Sequence, residues 1–165
     1  MKASEEADYR EFVVSRYDAL RRVAYLLCRD WHTADDLVSI TLGKLYRHWH
    51  RGKDAHNLDA YVRAMLTRTW LDELRRPWRR EIATESLPEA VQPAPTPTDR
   101  VALLTLLGRL PPRQRAVVVL RHYCDLSLEE TADILGISVG AVKSQSARGL
   151  AALRLPAIRQ YANQE

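Results

Sequence analysis

The chain has 165 residues, 46% of them hydrophobic, and a formal net charge of +4. That length holds one medium domain or two small ones, and the mild basic excess is compatible with a nucleic-acid partner. Two cysteines without metal-ligating neighbours exclude a disulfide framework, and no run approaches the ~20 apolar residues of a membrane span or opens as a signal peptide, so a cytoplasmic protein without membrane insertion is expected.

Leu, Ala, Arg and Val dominate and Gly numbers only 6, a helical composition. Over residues 9–29, Val13, Tyr17, Leu20, Ala24 and Leu27 recur at steps of four and three, one face of a helix. The stretch DWHTADDL interrupts the pattern, with Thr33 or His32 as the next helix start. Val38, Leu42, Leu45 and Trp49 then repeat the same steps. His50 to Asn57 reads as a polar loop. A third helix is predicted from Leu58 to Arg76, with Val62, Met65, Leu66 and Thr69 on one stripe, and Pro77 stops it. Trp70 falls off that stripe. It suits either a second core face or stacking on a nucleobase. Trp31, Trp49 and Trp78 are expected in packing, and Cys28 and Cys124 as small buried hydrophobes.

Residues 79–98 lose the helical period. Prolines at 88, 93, 95 and 97 predict an extended linker with polyproline character. The linker also separates two basic blocks. Residues 1–80 hold 16 Lys/Arg against 12 Asp/Glu, residues 81–97 hold three Glu and no base, and residues 98–165 hold 9 Lys/Arg against 6 Asp/Glu. Helical spacing returns with Val101, Leu104 and Leu107. Pro111-Pro112 opens another helix, with Val117, Leu120 and Tyr123 as its core face. The expected fold is all-α: two small helical domains, 1–78 and 99–165, joined by a Pro-rich linker at 79–98.

The most informative stretch is LSLEETADILGISVGAVKSQSARGLAALR, residues 126–154. Ser127 and Glu130 have capping-box spacing. Ala132 is small where two helices would cross, and Gly136 supplies the positive φ that ends a helix. Ser138 caps the next helix, between Ile137 and Val142. These spacings are those of a helix-turn-helix, with an ordinary helical hairpin as the alternative. In the second helix Val142, Leu150 and Leu153 face the core. Lys143, Ser144, Ala147 and Arg148 project outward, and Lys143, Ser144 and Gln145 are each able to contact a base or a phosphate. The early outward residues of such a helix meet base edges in the major groove, where Arg takes guanine in a bidentate manner.

The two halves together resemble the sigma-70 family of transcription initiation factors. Residues 33–49 and 57–76 are similar to the family's second region, and residues 110–154 to its fourth. The pair on a short tether resembles the extracytoplasmic-function (ECF) subfamily. The resemblance implies that core RNA polymerase and promoter DNA are partners, and that an anti-sigma factor is a further one. It places Asp35, Asp36, Leu37 and Val38 at the start of the polymerase-binding helix, although the two aspartates also suit a helix start by complementing its dipole. His56 and Asn57 would meet a flipped base of the minus-ten element, Arg75 and Arg76 would hold backbone phosphates near the melted strand, and Arg68 falls in the same melting set. A solvated loop and solvated cations are the plain readings of these residues. Ser138, Lys143, Ser144, Gln145, Ala147 and Arg148 would read the minus-thirty-five element. The chain departs from the family pattern at Ser39 (usually Gln), Arg68 (usually Asn), Gln145 (often basic) and Ala147 (often larger).

A stand-alone helix-turn-helix regulator, binding a palindromic operator as a dimer, is the competing reading. An enzyme is not expected, because no Gly-rich phosphate loop, metal cluster or nucleophile with a spaced base occurs; neither a cofactor nor a metal is expected.

Overall fold

The computed structural model describes residues 1–76 and 99–162, with side chains described over 1–76 and 102–153. The expected linker at 79–98 and Trp78 lie outside the described residues. The chain divides into two compact units, Met1–Arg76 and Pro77–Glu165. Every regular element among the described residues is helical.

In the first unit α1 spans Ala3–Cys28, α2 Trp31–Arg47, α3 Trp49–Lys53 and α4 Leu58–Leu74. α1, α2 and α4 pack on one another, and the short α3 rests on α2 and α4. Leu27, Leu37, Val38, Leu45, Val62 and Leu66 are fully enclosed between them. The break between α1 and α2 is narrower than DWHTADDL suggests. Arg29 takes a left-handed φ of 65°, and Asp30 caps α2, its Oδ2 accepting from the Thr33 amide at 2.9 Å and the Thr33 hydroxyl at 2.7 Å. Those bonds, the hydroxyl's first, hold the Asp30 carboxyl below its usual range. The predicted loop at 50–57 is half helix. Trp49 leaves α2 to open α3 and is buried at 4% exposure. Gly52 is buried too: a Cβ there would stand 2.9 Å from Leu45 Cδ1. Trp70 is 3% exposed and belongs to the core, not to a stacking surface. Cys28 is half-buried, its thiol donating to the Asp30 carbonyl at 3.2 Å, while Cys124 is buried.

In the second unit α5 spans Asp99–Arg109, α6 Pro112–Val118, α7 Leu128–Leu135 and α8 Val139–Ala162. Pro112 stands at the first turn of α6 as its sequence position predicts. The α6 helix continues into a π-helical turn, Val119–Tyr123, closed by the Cys124 amide donating to the Val119 carbonyl at 3.0 Å. That five-residue step carries one residue more than an α-turn. It rotates Tyr123 out to 55% exposure, so Tyr123 is not the core residue its spacing suggested. Val117, Val119 and Leu120 are buried at 0–1%. Arg115 ties α6 to the end of α5, donating to the Leu107 carbonyl (3.0 Å), which also accepts from the Leu110 amide, and to the Leu110 carbonyl (3.2 Å).

Candidate nucleic-acid interface

The turn between α7 and α8 is built by local chemistry. Ser127 Oγ accepts from the Glu130 amide at 3.0 Å, and Glu130 Oε1 accepts from the Ser127 amide at 3.4 Å, so the capping box closes in both directions. α7 ends at Gly136 with φ 66°, as expected, and the Ile137 amide returns to the Ala132 carbonyl at 3.1 Å. Ser138 Oγ then accepts from the Ala141 amide at 3.0 Å and opens α8. Val142 is fully buried and Leu153 is 8% exposed, which fixes the inner face of α8.

Lys143, Ser144, Ala147 and Arg148 are all exposed, at steps that share one side of α8. Gln145 does not join them. It is half-buried, and its Oε1 is buried with no hydrogen-bond partner among the described residues. Ser146 also turns inward, its hydroxyl 3.2 Å from His122 Nε2. The rotation of α8 has a cause that sequence spacing did not reveal. Gly149 is buried against α6, and a Cβ on it would lie 2.6 Å from Val118 Cγ2. The only available sequence cue is a glycine inside a helical pattern.

In the first unit, the four residues assigned to polymerase binding separate. Leu37 and Val38 are 0% exposed and serve the core, so neither presents a docking surface. Asp35 is engaged by Arg21, Nε to Oδ1 at 2.6 Å and Nη2 to Oδ2 at 3.4 Å. The Arg21 guanidinium lies 4.4 Å from the Trp31 ring centroid, and Trp31 stacks on Tyr25 at 4.0 Å. Trp31 remains 42% exposed. Asp36 is exposed on the outer face of α2, where Ser39 and Ile40 follow it at the next helical turn. Trp31 was expected in packing; it stacks on Tyr25 but keeps a surface face, and Ile40 is a surface apolar group that the sequence pattern had not singled out.

His56 and Asn57 are exposed at the entry to α4. Asn57 has a structural duty as well: its Oδ1 accepts from the Ala60 amide at 3.1 Å as the α4 N-cap. Its amide nitrogen is the half left for another partner. Arg68 and Arg75 are seven residues apart and exposed on one side of α4; Arg76 lies just beyond its end, 3.6 Å from Glu73 Oε1. At ~1.5 Å per residue, α4 sets Asn57 about 27 Å from Arg75. The five residues assigned to the minus-ten element thus form a track along α4, not one pocket.

No group of three or more His, Cys, Asp or Glu able to hold a metal occurs among the described residues. No described helix is long and apolar enough to cross a membrane.

The two units carry two family signatures: Sigma-70 region 2 matches residues 12–80, and Sigma-70 region 4 matches residues 100–153. The chain is 41% identical to the RNA polymerase sigma-E factor of Streptomyces coelicolor over 152 residues, 91% of this chain and 86% of the relative. It is 34% identical to the ECF RNA polymerase sigma factor SigM of Mycobacterium tuberculosis, over 87% of this chain and 73% of the relative. Among solved structures it is similar to the sigma factor RpoE, in complex with the anti-sigma factor NepR, from Bartonella quintana, with a TM-score of 0.72 and 25% identity over 89% of this chain and 94% of that one. The chain belongs to the sigma-70 family of RNA polymerase sigma factors, in its ECF subfamily. It is an alternative sigma factor that directs RNA polymerase to promoters, and the stand-alone regulator reading is not favoured.

Proposed function

We propose that the two units divide promoter recognition between them. The domain at 99–165 takes the minus-thirty-five element in duplex form. The domain at 1–78 binds core polymerase and reads and melts the minus-ten element, and residues 79–98 tether the two. The observation that carries this reading is the outward set Lys143, Ser144, Ala147 and Arg148 on a helix whose start is fixed by Ser138 and whose inner face is fixed by Val142 and Gly149. A helix so presented fits the major groove, with Arg148 placed for a guanine and Lys143 for a base or phosphate. Ser138 Oγ accepts the cap bond from Ala141 and keeps its hydroxyl proton and a second lone pair for the DNA. Gln145 supports this face from beneath.

On the first domain, Asp36 offers the exposed carboxylate for basic groups of the polymerase, with Ile40 as its apolar neighbour. Asp35 acts through Arg21. His56, the Asn57 amide, Arg68, Arg75 and Arg76 follow the separated strand, base edges at one end and phosphates at the other. The protein works by binding, without a catalytic residue of its own, and it works in the cytoplasm, where the polymerase is. An anti-sigma factor is a further partner by likeness to the RpoE–NepR pair.

The test is transcription by purified bacterial core polymerase on a library of randomised promoters, with and without this chain. Initiation confined to reactions containing the protein, with enrichment at two spaced elements, supports the reading. Binding of paired half-sites by the protein alone, with no initiation, overturns it.

A further inference from the structure

The segment that leads into the proposed base-reading turn is strongly basic. Arg47, His50, Arg51 and Lys53 are all exposed within seven residues. The first turns of α1 cover part of it with acid. Lys53 Nζ donates to Glu5 Oε1 at 2.8 Å, and the Tyr46 hydroxyl donates to Glu6 Oε1 at 3.1 Å. Glu5 Oε2 also accepts from the Lys2 amide at 3.1 Å. Asp8 and Asp54 add negative charge around Lys53. The bond from Lys53 holds the Glu5 carboxyl down at about 2, and the same bond raises Lys53 above its usual value.

The anchor of this end of α1 is a separate set of contacts. Tyr9 meets Tyr46 and Trp49 edge-on, with centroids 5.2 and 5.5 Å apart, and donates its hydroxyl to the Leu42 carbonyl at 2.8 Å. Phe12 lies against Trp49 at 6.1 Å. The carboxylates stand on the helical turn before that anchor. A helix's first turn opens at little cost, so Glu5 and Glu6 can let go while Tyr9 and Phe12 keep α1 in place.

We propose that Glu5 and Glu6 stand in for DNA phosphate on this segment, masking Lys53 and Tyr46 until a single strand of promoter DNA displaces them. The proposal rests on the reading that the turn at 50–57 faces the melted minus-ten strand. The Glu5–Lys53 pair is partly exposed, with side chains 22% and 39% accessible, so it exchanges readily for a phosphate. Its effect is selective. A polyanion that touches only this segment must displace the carboxylates, while a promoter also held through α8 and α4 has other contacts to drive the exchange.

The test uses the full chain assembled with core polymerase and a fluorescent promoter fork whose minus-ten non-template strand is single. Affinity is measured across a salt series for wild type, E5Q/E6Q, Y46F/K53Q and the quadruple variant. E5Q/E6Q is expected to bind about two- to fivefold more tightly at low salt. Its slope of log K against log salt should steepen by up to about 0.7, and the gain should disappear in the Y46F/K53Q background. Thermal melts of each variant confirm that it is folded. Equal or weaker binding by folded E5Q/E6Q, or a gain that survives Y46F/K53Q, overturns the mask. If wild-type holoenzyme shows no preference for the fork, the functional reading falls and the mask with it.

Discussion

Asn57 does two things at once. Its carbonyl oxygen caps α4 through the Ala60 amide, and its amide nitrogen faces solvent beside His56. Two substitutions separate these duties. Asn57→Ser keeps a capping oxygen and should melt within a few tenths of a kcal/mol of wild type, whereas Asn57→Ala should lose about 1 kcal/mol. If the amide meets a base, both lose open-complex formation alike; if Asn57 is a cap alone, only the alanine variant suffers. Arg148 belongs at the same scale. Arg148→Ala should cost ~1–3 kcal/mol on the preferred minus-thirty-five sequence and relax preference at one position in a selection experiment. A uniform loss over all sequences would limit it to phosphate. The residues legible in sequence were those whose work is local. Ser127, Glu130, Gly136 and Ser138 each answer to a neighbour three or four residues away, and each took its expected place. Leu37 and Val38 show the opposite. The resemblance put them at a polymerase surface, but their burial is decided by α1 and α4 arriving from elsewhere in the chain.

Among the helices, the stripes of α1, α2 and α4 were readable because burial on one side imposes a 3.6-residue period. Two features escaped that logic. The π-helical turn at Val119–Tyr123 breaks the period from within, so spacing carried Tyr123 to the wrong face. Trp49 continued the α2 period by count, yet the chain breaks at His48 and Trp49 packs from a new helix. Gly149 is legible only once α6 is known to lie across it. Gly149→Ala gains up to about 1 kcal/mol of helix propensity but forces a methyl to 2.6 Å from Val118 Cγ2, a strain of roughly 1–3 kcal/mol. The second unit should therefore lose stability in chemical denaturation, and adding Val118→Ala should recover part of the loss. A stabilised single variant would mean that α8 can shift without cost.

For the whole molecule, the balance of charge sets the response to acid. Glu5 titrates at about 2 in the folded chain against an ordinary 4.5. Its folded value is depressed, so its contribution is complete above pH 4.5 and is lost as pH falls from there toward 2. Asp30 is shifted the same way by Thr33. Thermal midpoints of the full chain should fall across that window, and Glu5→Gln should flatten the fall. An unchanged acid limb in the variant would show that the Glu5–Lys53 pair is not held in solution. The two-part organisation was visible in composition before any helix was placed, because the proline-bearing acidic strip parts two basic, periodic halves.

The Gly149 contact has a bearing on how promoter preference can be altered. A backbone pressed directly onto Val118 leaves α8 no freedom to roll about its own axis, so the four outward positions keep fixed bearings relative to the rest of their domain. On the proposed reading, new preferences would come from exchanging side chains at those positions, like type in a locked frame. Positions 143, 144, 147 and 148 would then form a cassette to transplant between relatives sharing the glycine. Where a relative carries a side chain at 149, the same four letters would be printed at a different angle.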